Sequence, residues 1–171
     1  MSGVTLETER MLLQPWQSSE WVLLRPIATD PEVMRYITGG VPWSEQTIRE
    51  FVDRQVKLYN ERGFCRWRLV EKAGGNTIGF CGLGTWRDHP DMEIGWWLTH
   101  EAWGRGLATE AATAALDDIF ERVKLDRVVS IAMTGNAASI RIMQKLGLAF
   151  DCEFESEGVR LVRYAISRRP R

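Results

Sequence analysis

Histidine, cysteine and long apolar runs are all scarce in this chain. Its 171 residues include two histidines, His89 and His100, and three cysteines, Cys65, Cys81 and Cys152. No two cysteines have the spacing typical of metal or redox sites, and an odd number cannot all pair as disulfides. The pattern argues against a metal centre, a cysteine–histidine nucleophile pair and a disulfide framework. We therefore expect a reduced, cytoplasmic protein that uses no metal.

A charge bias and a membrane-spanning segment are also missing. The net charge is −1 at pH 7, with 26% charged and 44% hydrophobic residues. Such a chain lacks the basic excess that favours nucleic acids or anionic membranes. No apolar run approaches the roughly 20 residues of a membrane helix, and the N-terminus does not resemble a signal peptide. We expect neither nucleic acid nor membrane as a partner, and one domain over residues 1–171.

Hydrophobic patterning predicts strands and helices along the whole chain. Strand patterns cover 9–16, 64–72, 76–86, 92–100, 126–133, 148–155 and 158–167, and helical patterns cover 18–37, 44–63, 106–123 and 136–147. Within 18–37 we expect Pro26 to end one short helix and Asp30 to cap a second. The order, roughly β-α-α-β-β-β-α-β-α-β-β, predicts a mixed α/β (α+β) sheet with an antiparallel meander over 64–100.

A glycine-rich turn, AWGRGLATEA at 102–111, stands between a predicted strand and a strong helix-forming sequence. Gly104 and Gly106 flank Arg105, although glycine is less favourable than alanine in a helix by about 1 kcal/mol. A tight turn into the helix is one explanation. The other is an anion site, in which unpaired N–H groups and the helix dipole attract a phosphate, glycine admits it, and Arg105 adds charge.

Two common phosphate-binding motifs do not fit this turn. A Walker loop requires lysine and then serine or threonine after its last glycine, where this chain has Leu107 and Ala108. A dinucleotide fingerprint requires a third glycine where Thr109 stands, and an acid at the end of the next strand, which Asp126 instead precedes. Nucleotide-binding proteins of these two classes are disfavoured.

A third comparison does fit. WGRGLATEA after EIGWWLTHEA, followed by NAASIRIMQKLGL, resembles the GNAT superfamily of acyl-CoA-dependent N-acetyltransferases. The opening TERMLLQPW is similar to its RimJ/RimL branch, whose members often acetylate protein N-termini. The resemblance spans nearly the whole chain. It implies a single-domain GNAT fold, with a mostly antiparallel twisted sheet that is flanked by helices and splayed at its central strands.

The same resemblance implies ligands and the residues that bind them. The co-substrate would be acetyl-CoA, the partner an amine acceptor, and the assembly a monomer or a homodimer. The pantetheine arm would lie along strand 92–98, with the pyrophosphate on the turn amides and a backbone N–H near Trp97 or Leu98 facing the thioester oxygen. The cofactor-binding residues are then Trp97, Leu98, Gly104, Arg105, Gly106, Leu107, Ala108, Thr109 and Asn136.

Two positions beside this site have alternative explanations. The family loop pattern is Gln/Arg-x-x-Gly-x-Gly/Ala, which Gly106 and Ala108 match, whereas Trp103 departs from its first position. The main-chain donors remain, but a side-chain contact from Trp103 is in doubt. Gly95 suits a β-bulge that would part the strand from its neighbour, and it equally suits close packing.

Glu93 is the first candidate for a general base. An amine attacks only when neutral, and the resemblance sets Glu93 beside the thioester, where it would act directly or through water. The alternative is a solvent-facing residue of an alternating strand. His89 and Asp91 in the preceding loop are weaker candidates.

Ser139 is the candidate acid. Much of the superfamily uses a tyrosine seven residues after the helix asparagine, but from Asn136 that position is Met143, which cannot donate a proton. The RimL-like branch is similar in using a serine at the position of Ser139, which would stabilise the leaving thiolate. Alternatively, Ser139 only helps to cap its helix.

The acceptor side is the least defined. Tryptophans that could line a cleft, or simply pack in the core, are Trp43, Trp86, Trp96 and Trp97. The family builds its acceptor wall from segments that correspond here to 26–44 and 153–160. Their acids weakly favour a cationic acceptor; these are Asp30, Glu32, Glu153, Glu155 and Glu157.

The sequence thus predicts an enzyme that moves an acetyl group from acetyl-CoA to a primary amine, either a protein N-terminus or a small amine, by direct attack on the thioester. Because the superfamily tyrosine is missing, a catalytically silent acyl-CoA-binding regulatory module on the same fold is the alternative.

Overall fold

The computed structural model describes residues 3–169, so the predicted domain limits at 1 and 171 lie outside the described residues. The strands are β1 Leu6–Glu7, β2 Met11–Gln14, β3 Arg66–Glu71, β4 Thr77–Gly84, β5 Glu93–Leu98, β6 Arg127–Met133, β7 Ala149–Ser156 and β8 Val159–Ser167. The helices are α1 Trp21–Ala28, α2 Pro31–Met34, α3 Glu45–Arg62, α4 Leu107–Asp118 and α5 Ala137–Lys145. The predicted mixed α/β architecture is confirmed.

All eight strands form one sheet in the order β1-β2-β3-β4-β5-β6-β8-β7. Neighbours are antiparallel, as the predicted meander requires, except for β5 and β6. These two central strands are parallel and pair only at Glu93 opposite Val129. Beyond that pair they diverge, which confirms the predicted splay. We call the gap between them the splay, its closed end at Glu93 the apex, and its open end beside α4 the mouth.

Most helix ends follow the predicted chemistry. The Ser44 Oγ accepts the Thr47 N–H at 3.1 Å, and Gly63 ends α3 with a left-handed φ of 75°. Pro26, however, does not break α1, which continues to Ala28. A proline inside a helix removes one main-chain hydrogen bond. Burial of the last turn of α1 against α3 and the sheet outweighs that loss.

The two faces of the sheet carry separate apolar clusters. On one face α4 packs its small residues Ala111, Ala112 and Ala115 against the strands. On the other face α1 and α3 cover an aromatic cluster. Because strand side chains alternate, β5 directs Trp97 toward α1 and α3, and directs Ile94, Trp96 and Leu98 toward α4. Side chains on both faces of the sheet therefore border the splay.

The cysteines are ordinary packing residues in this fold. All three thiols are free; Cys65, just before β3, and Cys81, in β4, are fully buried. Burial raises the pKa of both buried thiols, which keeps them protonated. Within residues 3–169, no helix is long and apolar enough to cross a membrane.

Candidate active site

The turn between β5 and α4 has the conformation that its glycines predict. Gly104 and Gly106 adopt left-handed φ values of 71° and 75°, which other residues rarely tolerate. Gly106 occupies the N-cap of α4, so no side chain caps this helix. The first amides of α4 therefore remain available for an anion at the mouth of the splay.

The side chain of Arg105 is engaged elsewhere. Its guanidinium pairs with Glu71 at the end of β3. A second charged group contacts the turn: Arg10, whose Nη1 donates to the Arg105 carbonyl oxygen at 2.9 Å. Arg10 lies 95 residues from Arg105 in the chain, so no local pattern around the turn indicates it. The opening TER motif was the only signal that could have indicated it.

The main-chain groups of β5 alternate between β4 and the splay. Just beyond β5, the Thr99 N–H donates to Ile78 O at 2.8 Å on the β4 side. Just before it, Met92 O accepts from the Val129 N–H at 3.0 Å on the β6 side. Even-numbered residues of β5 therefore direct their main-chain groups into the splay. They are Ile94, Trp96 and Leu98.

Two of these carbonyls already have side-chain donors. The Ser130 Oγ donates to Ile94 O at 2.9 Å, and the Trp103 Nε1 donates to Leu98 O at 3.1 Å. Between them lie the N–H and C=O of Trp96 and the N–H of Leu98, which no strand pairs within residues 3–169. The side chain of Trp103, the residue that departs from the family loop pattern, thus holds the turn against the end of β5.

This alternation corrects the role expected of Trp97. Trp97 stands opposite Phe80 in the β4–β5 ladder, so its amide faces β4 rather than the splay. Its ring lies 5.0 Å from that of Phe80, centroid to centroid, and 4.7 Å from that of Trp43. Trp96 and Leu98 are the residues that offer an N–H to the splay.

Gly95 forms no bulge. The β4–β5 pairing runs without a register shift, with Gly82 opposite Gly95. A Cβ at Gly95 would lie 3.4 Å from Glu93 Oε1 and 3.7 Å from Arg66 Nε. The close-packing explanation is therefore correct, and Gly95 leaves room for the two charged side chains.

Glu93 is buried at the apex, not exposed to solvent as the alternative explanation required. Its side chain is 8% exposed, and its Oε1 lies 2.5 Å from Arg66 Nη2. Burial raises the pKa of Glu93 to about 7, against the opposing effect of the Arg66 charge and hydrogen bond. A carboxyl group that is partly ionised near neutral pH has the protonation behaviour required of a general base.

The two weaker base candidates are tied to arginines. Asp91 pairs with Arg127, and the His89 ring contacts Arg163. Both arginines also reach Asp151, Arg163 at 2.6 Å and Arg127 at 3.3 Å. This cluster engages both side chains, so Glu93 is the better candidate.

Asn136 is the predicted cap of α5. Its Oδ1 accepts the main-chain N–H of Ser139 at 3.2 Å. Ser139 therefore takes part in the cap through its N–H, not its hydroxyl, so capping does not account for the hydroxyl group. Met143 is 1% exposed and belongs to the core, as expected for a residue without catalytic chemistry.

The four tryptophans do not form one wall. Trp43 and Trp97 belong to the aromatic cluster under α3, whereas Trp96 packs on the opposite face of the sheet. Trp86 packs edge-on against Phe154 of β7, with ring centroids 5.6 Å apart. A shared acceptor cleft lined by all four is excluded.

The acidic segments are also less negative than their sequence indicates. Glu153 pairs with Arg160, and Glu157 pairs with Arg87. Asp30 accepts the Glu32 N–H at 2.9 Å as a helix cap. The preference for a cationic acceptor is correspondingly weakened. No group of three or more potential metal ligands lies together in the described part of the chain.

Comparison with protein families matches residues 10–149 to the acetyltransferase (GNAT) domain. The uncharacterized protein YkkB of Bacillus subtilis is 32% identical over 148 residues, covering 85% of each chain. The uncharacterized N-acetyltransferase YoaA of Bacillus subtilis is 30% identical over 158 residues, covering 90% of this chain and 84% of YoaA.

Solved structures share the fold. A RimL ribosomal-protein acetyltransferase in complex with coenzyme A superposes with a TM-score of 0.80. The superposition covers 96% of this chain and 98% of RimL, at 15% identity. At that identity the likeness extends to the fold alone.

Proposed function

The chain belongs to the acetyltransferase (GNAT) domain family, and on that premise we propose that it acetylates a primary amine at the splay between β5 and β6. The observation that carries the proposal is the divergence of these strands directly after Glu93. A buried carboxyl group at the apex and uncapped helix amides at the mouth suit the two ends of an acyl-CoA.

We propose that the mouth binds the pyrophosphate through the main-chain amides from Gly104 to Thr109, with Asn136 beside the cofactor arm. Trp96 and Leu98 would pair with the pantetheine arm, because their main-chain groups face the splay. When bound, acetyl-CoA supplies an acyl group activated as a thioester. The Leu98 or Trp96 N–H would stabilise charge on the thioester oxygen, which is worth about 2.7–4 kcal/mol in comparable sites.

Glu93 would remove the proton from the incoming amine, directly or through water. Above about pH 7 the carboxyl group is largely ionised and able to accept that proton. Arg66 holds Glu93 in place through the 2.5 Å contact. The Ser139 hydroxyl would donate to the departing sulfur, a modest contribution because a thiol leaves readily.

The base also favours one acceptor class. A chain-terminal amine has a pKa of roughly 7.7–8.0, within about one unit of that of Glu93, whereas a lysine amine has a pKa of ~10.4. Transfer of a proton to Glu93 is therefore less unfavourable from a terminal ammonium than from a lysine ammonium, because each unit of pKa difference corresponds to about 1.36 kcal/mol. We therefore propose that the acceptor is a peptide or protein N-terminus rather than a lysine-like amine; RimL, which shares the fold, is an alpha-N-protein acetyltransferase.

Calorimetric titration with acetyl-CoA, followed by assays of thiol release, tests the proposal. The acceptor panel contains N-terminal peptides, polyamines and aminoglycosides. We expect saturable binding, and release of free CoA that depends on an amine and is fastest with a peptide N-terminus. Binding without release across the panel would support the silent acyl-CoA-binding module instead. Absence of binding would overturn both.

A further inference from the structure

A carboxylate lies beside the proposed pyrophosphate site. Glu110 lies in the first turn of α4, directly after the turn proposed to bind pyrophosphate. A negative charge there repels a phosphate. The helix dipole stabilises an acid in the first turn, so the contacts of Glu110 decide what further role it has.

Glu110 is fully engaged by the turn between β1 and β2. Its Oε1 accepts the Thr8 hydroxyl at 2.7 Å and the Arg10 N–H at 2.9 Å, and its Oε2 accepts the Arg10 Nε at 2.7 Å. Burial opposes ionisation of Glu110, but these hydrogen bonds outweigh it and lower its pKa. The carboxylate is therefore ionised at neutral pH and tied to a segment about 100 residues away.

Arg10 extends this connection to the glycine turn. While its Nε binds Glu110, its Nη1 donates to the Arg105 carbonyl oxygen at 2.9 Å. The C=O of Arg105 and the N–H of Gly106 belong to one planar trans peptide and point in opposite directions. Fixing the carbonyl on Arg10 therefore directs the Gly106 N–H away from Arg10.

We propose that Thr8, Arg10 and Glu110 form a lock that holds the Gly106 N–H in its anion-binding orientation before the coenzyme arrives. The three are positioning residues, and the proposal rests on the proposed function of the turn. The lock matters because left-handed Gly106 is conformationally permissive and would otherwise sample other orientations. Preorganisation of this kind lowers the entropic cost of binding.

Glu110→Gln separates the lock from a purely electrostatic effect, because the two predict changes of opposite sign in the Kd of CoA. Glutamine has nearly the same shape, but its amide N–H₂ would face the guanidinium donors of Arg10 and release Arg10. Loss of a negative charge alone would tighten CoA binding. The lock predicts an increase of about tenfold in the Kd of CoA, equivalent to ~1.4 kcal/mol, measured by calorimetry.

Two comparisons make this measurement specific. Acetyl-pantetheine lacks the pyrophosphate, so its affinity should be the same for Glu110→Gln and the wild type. The matched control is Glu101→Gln, which removes an exposed carboxylate from the neighbouring turn at His100–Ala102. For this control the Kd of CoA should stay the same or fall.

Thr8→Val provides a second variant without a change in charge. It should raise the Kd of CoA less than Glu110→Gln does, and kcat at saturating acetyl-CoA should be unchanged for both. If circular dichroism shows that Glu110→Gln does not fold, the Kd of CoA for Thr8→Val tests the lock instead. An unchanged or lower Kd overturns the lock while the proposed function stands. If the wild-type chain does not bind CoA, both the lock and the proposed function are overturned.

Discussion

The mouth and the apex of the splay differ in which atoms carry the proposed chemistry. At the mouth, the donors are main-chain amides from one contiguous segment, Gly104–Thr109, and the surrounding charges are partly exposed. At the apex, the groups are side chains from separate strands: Glu93, which is buried, and Arg66, whose side chain is 15% exposed. The mouth therefore depends on backbone conformation, whereas the apex depends on a charge pair formed across the sheet.

Arg66→Met tests the apex most severely. Removal of Arg66 leaves Glu93 buried without its partner, which typically costs about 3–5 kcal/mol. The pKa of Glu93 is raised from 4.5 in the unfolded chain to about 7 in the folded protein, so its ionisation destabilises the fold progressively as pH rises through this range. The pKa should rise further in the variant. Urea unfolding should therefore show a larger loss of stability at pH 8 than at pH 5.

The control for this variant is Arg160→Met, which breaks an ion pair whose arginine side chain is 72% exposed. Exposed pairs contribute about 0–1 kcal/mol, so we expect little change at either pH. A loss for Arg66→Met that is as small as the control's, or independent of pH, would contradict the assignment of Glu93 as a buried, ionisable group.

Glu93→Gln tests the chemistry of the apex. General-base catalysis contributes roughly 10²–10⁴-fold, so kcat/KM should fall by about 100-fold or more. The loss should be greatest between about pH 7 and 8, where Glu93 is ionised and a terminal amine is still largely protonated. Asp91→Asn, at a carboxylate paired with Arg127, is the control and should be close to wild type. A pH–rate profile that keeps its height and shape in Glu93→Gln would exclude Glu93 as the base.

Gly106→Asp tests the mouth. A carboxylate and a Cβ against the pyrophosphate should raise the Kd of CoA by roughly 30-fold, about 2 kcal/mol by calorimetry. The matched control is Gly158→Asp, because Gly158 has nearly the same φ, 76°, and lies in the β7–β8 turn rather than in the proposed phosphate site. It should show a comparable loss of stability and an unchanged Kd. Equal affinities for both variants would exclude this turn as the phosphate site.

Ser139→Ala has the smallest expected effect. Because a thiol has a pKa of only about 8.5, its departure needs little help from an acid. We expect kcat to fall by no more than about fivefold and the melting temperature to be unchanged, since the cap uses the Ser139 N–H. A 100-fold loss in steady-state assays would assign Ser139 a larger role than this account gives it.

The difference between the two ends also explains what the sequence could predict. The glycine turn and the capped helices α3 and α5 were predicted from contiguous residues, whereas the splay was expected only from the resemblance to the GNAT superfamily. Arg10 and Arg66 were missed because their partners lie 100 and 27 residues away. The periodic patterns of helices and strands do not indicate ion pairs between residues so far apart in the chain.

The points on which the structure decided against or between the expectations have the same origin. The direction of the Trp97 amide depends on which edge of β5 faces β4, and this is set by pairing rather than by composition. The role of Gly95 depends on the side chains packed next to it, namely Glu93 and Arg66. Pro26 remained within α1 because burial outweighed one lost hydrogen bond. In each case the outcome depended on tertiary contacts, which the local sequence does not specify.

The most direct test of the account is a crystal structure of the chain grown with coenzyme A. We expect both phosphates of the diphosphate to lie within hydrogen-bonding distance of main-chain nitrogens between Gly104 and Thr109. We also expect the pantetheine arm to lie in the splay, bonded to the main chain of Trp96. A splay without ligand at saturating coenzyme A, or the coenzyme bound elsewhere on the chain, would contradict both expectations.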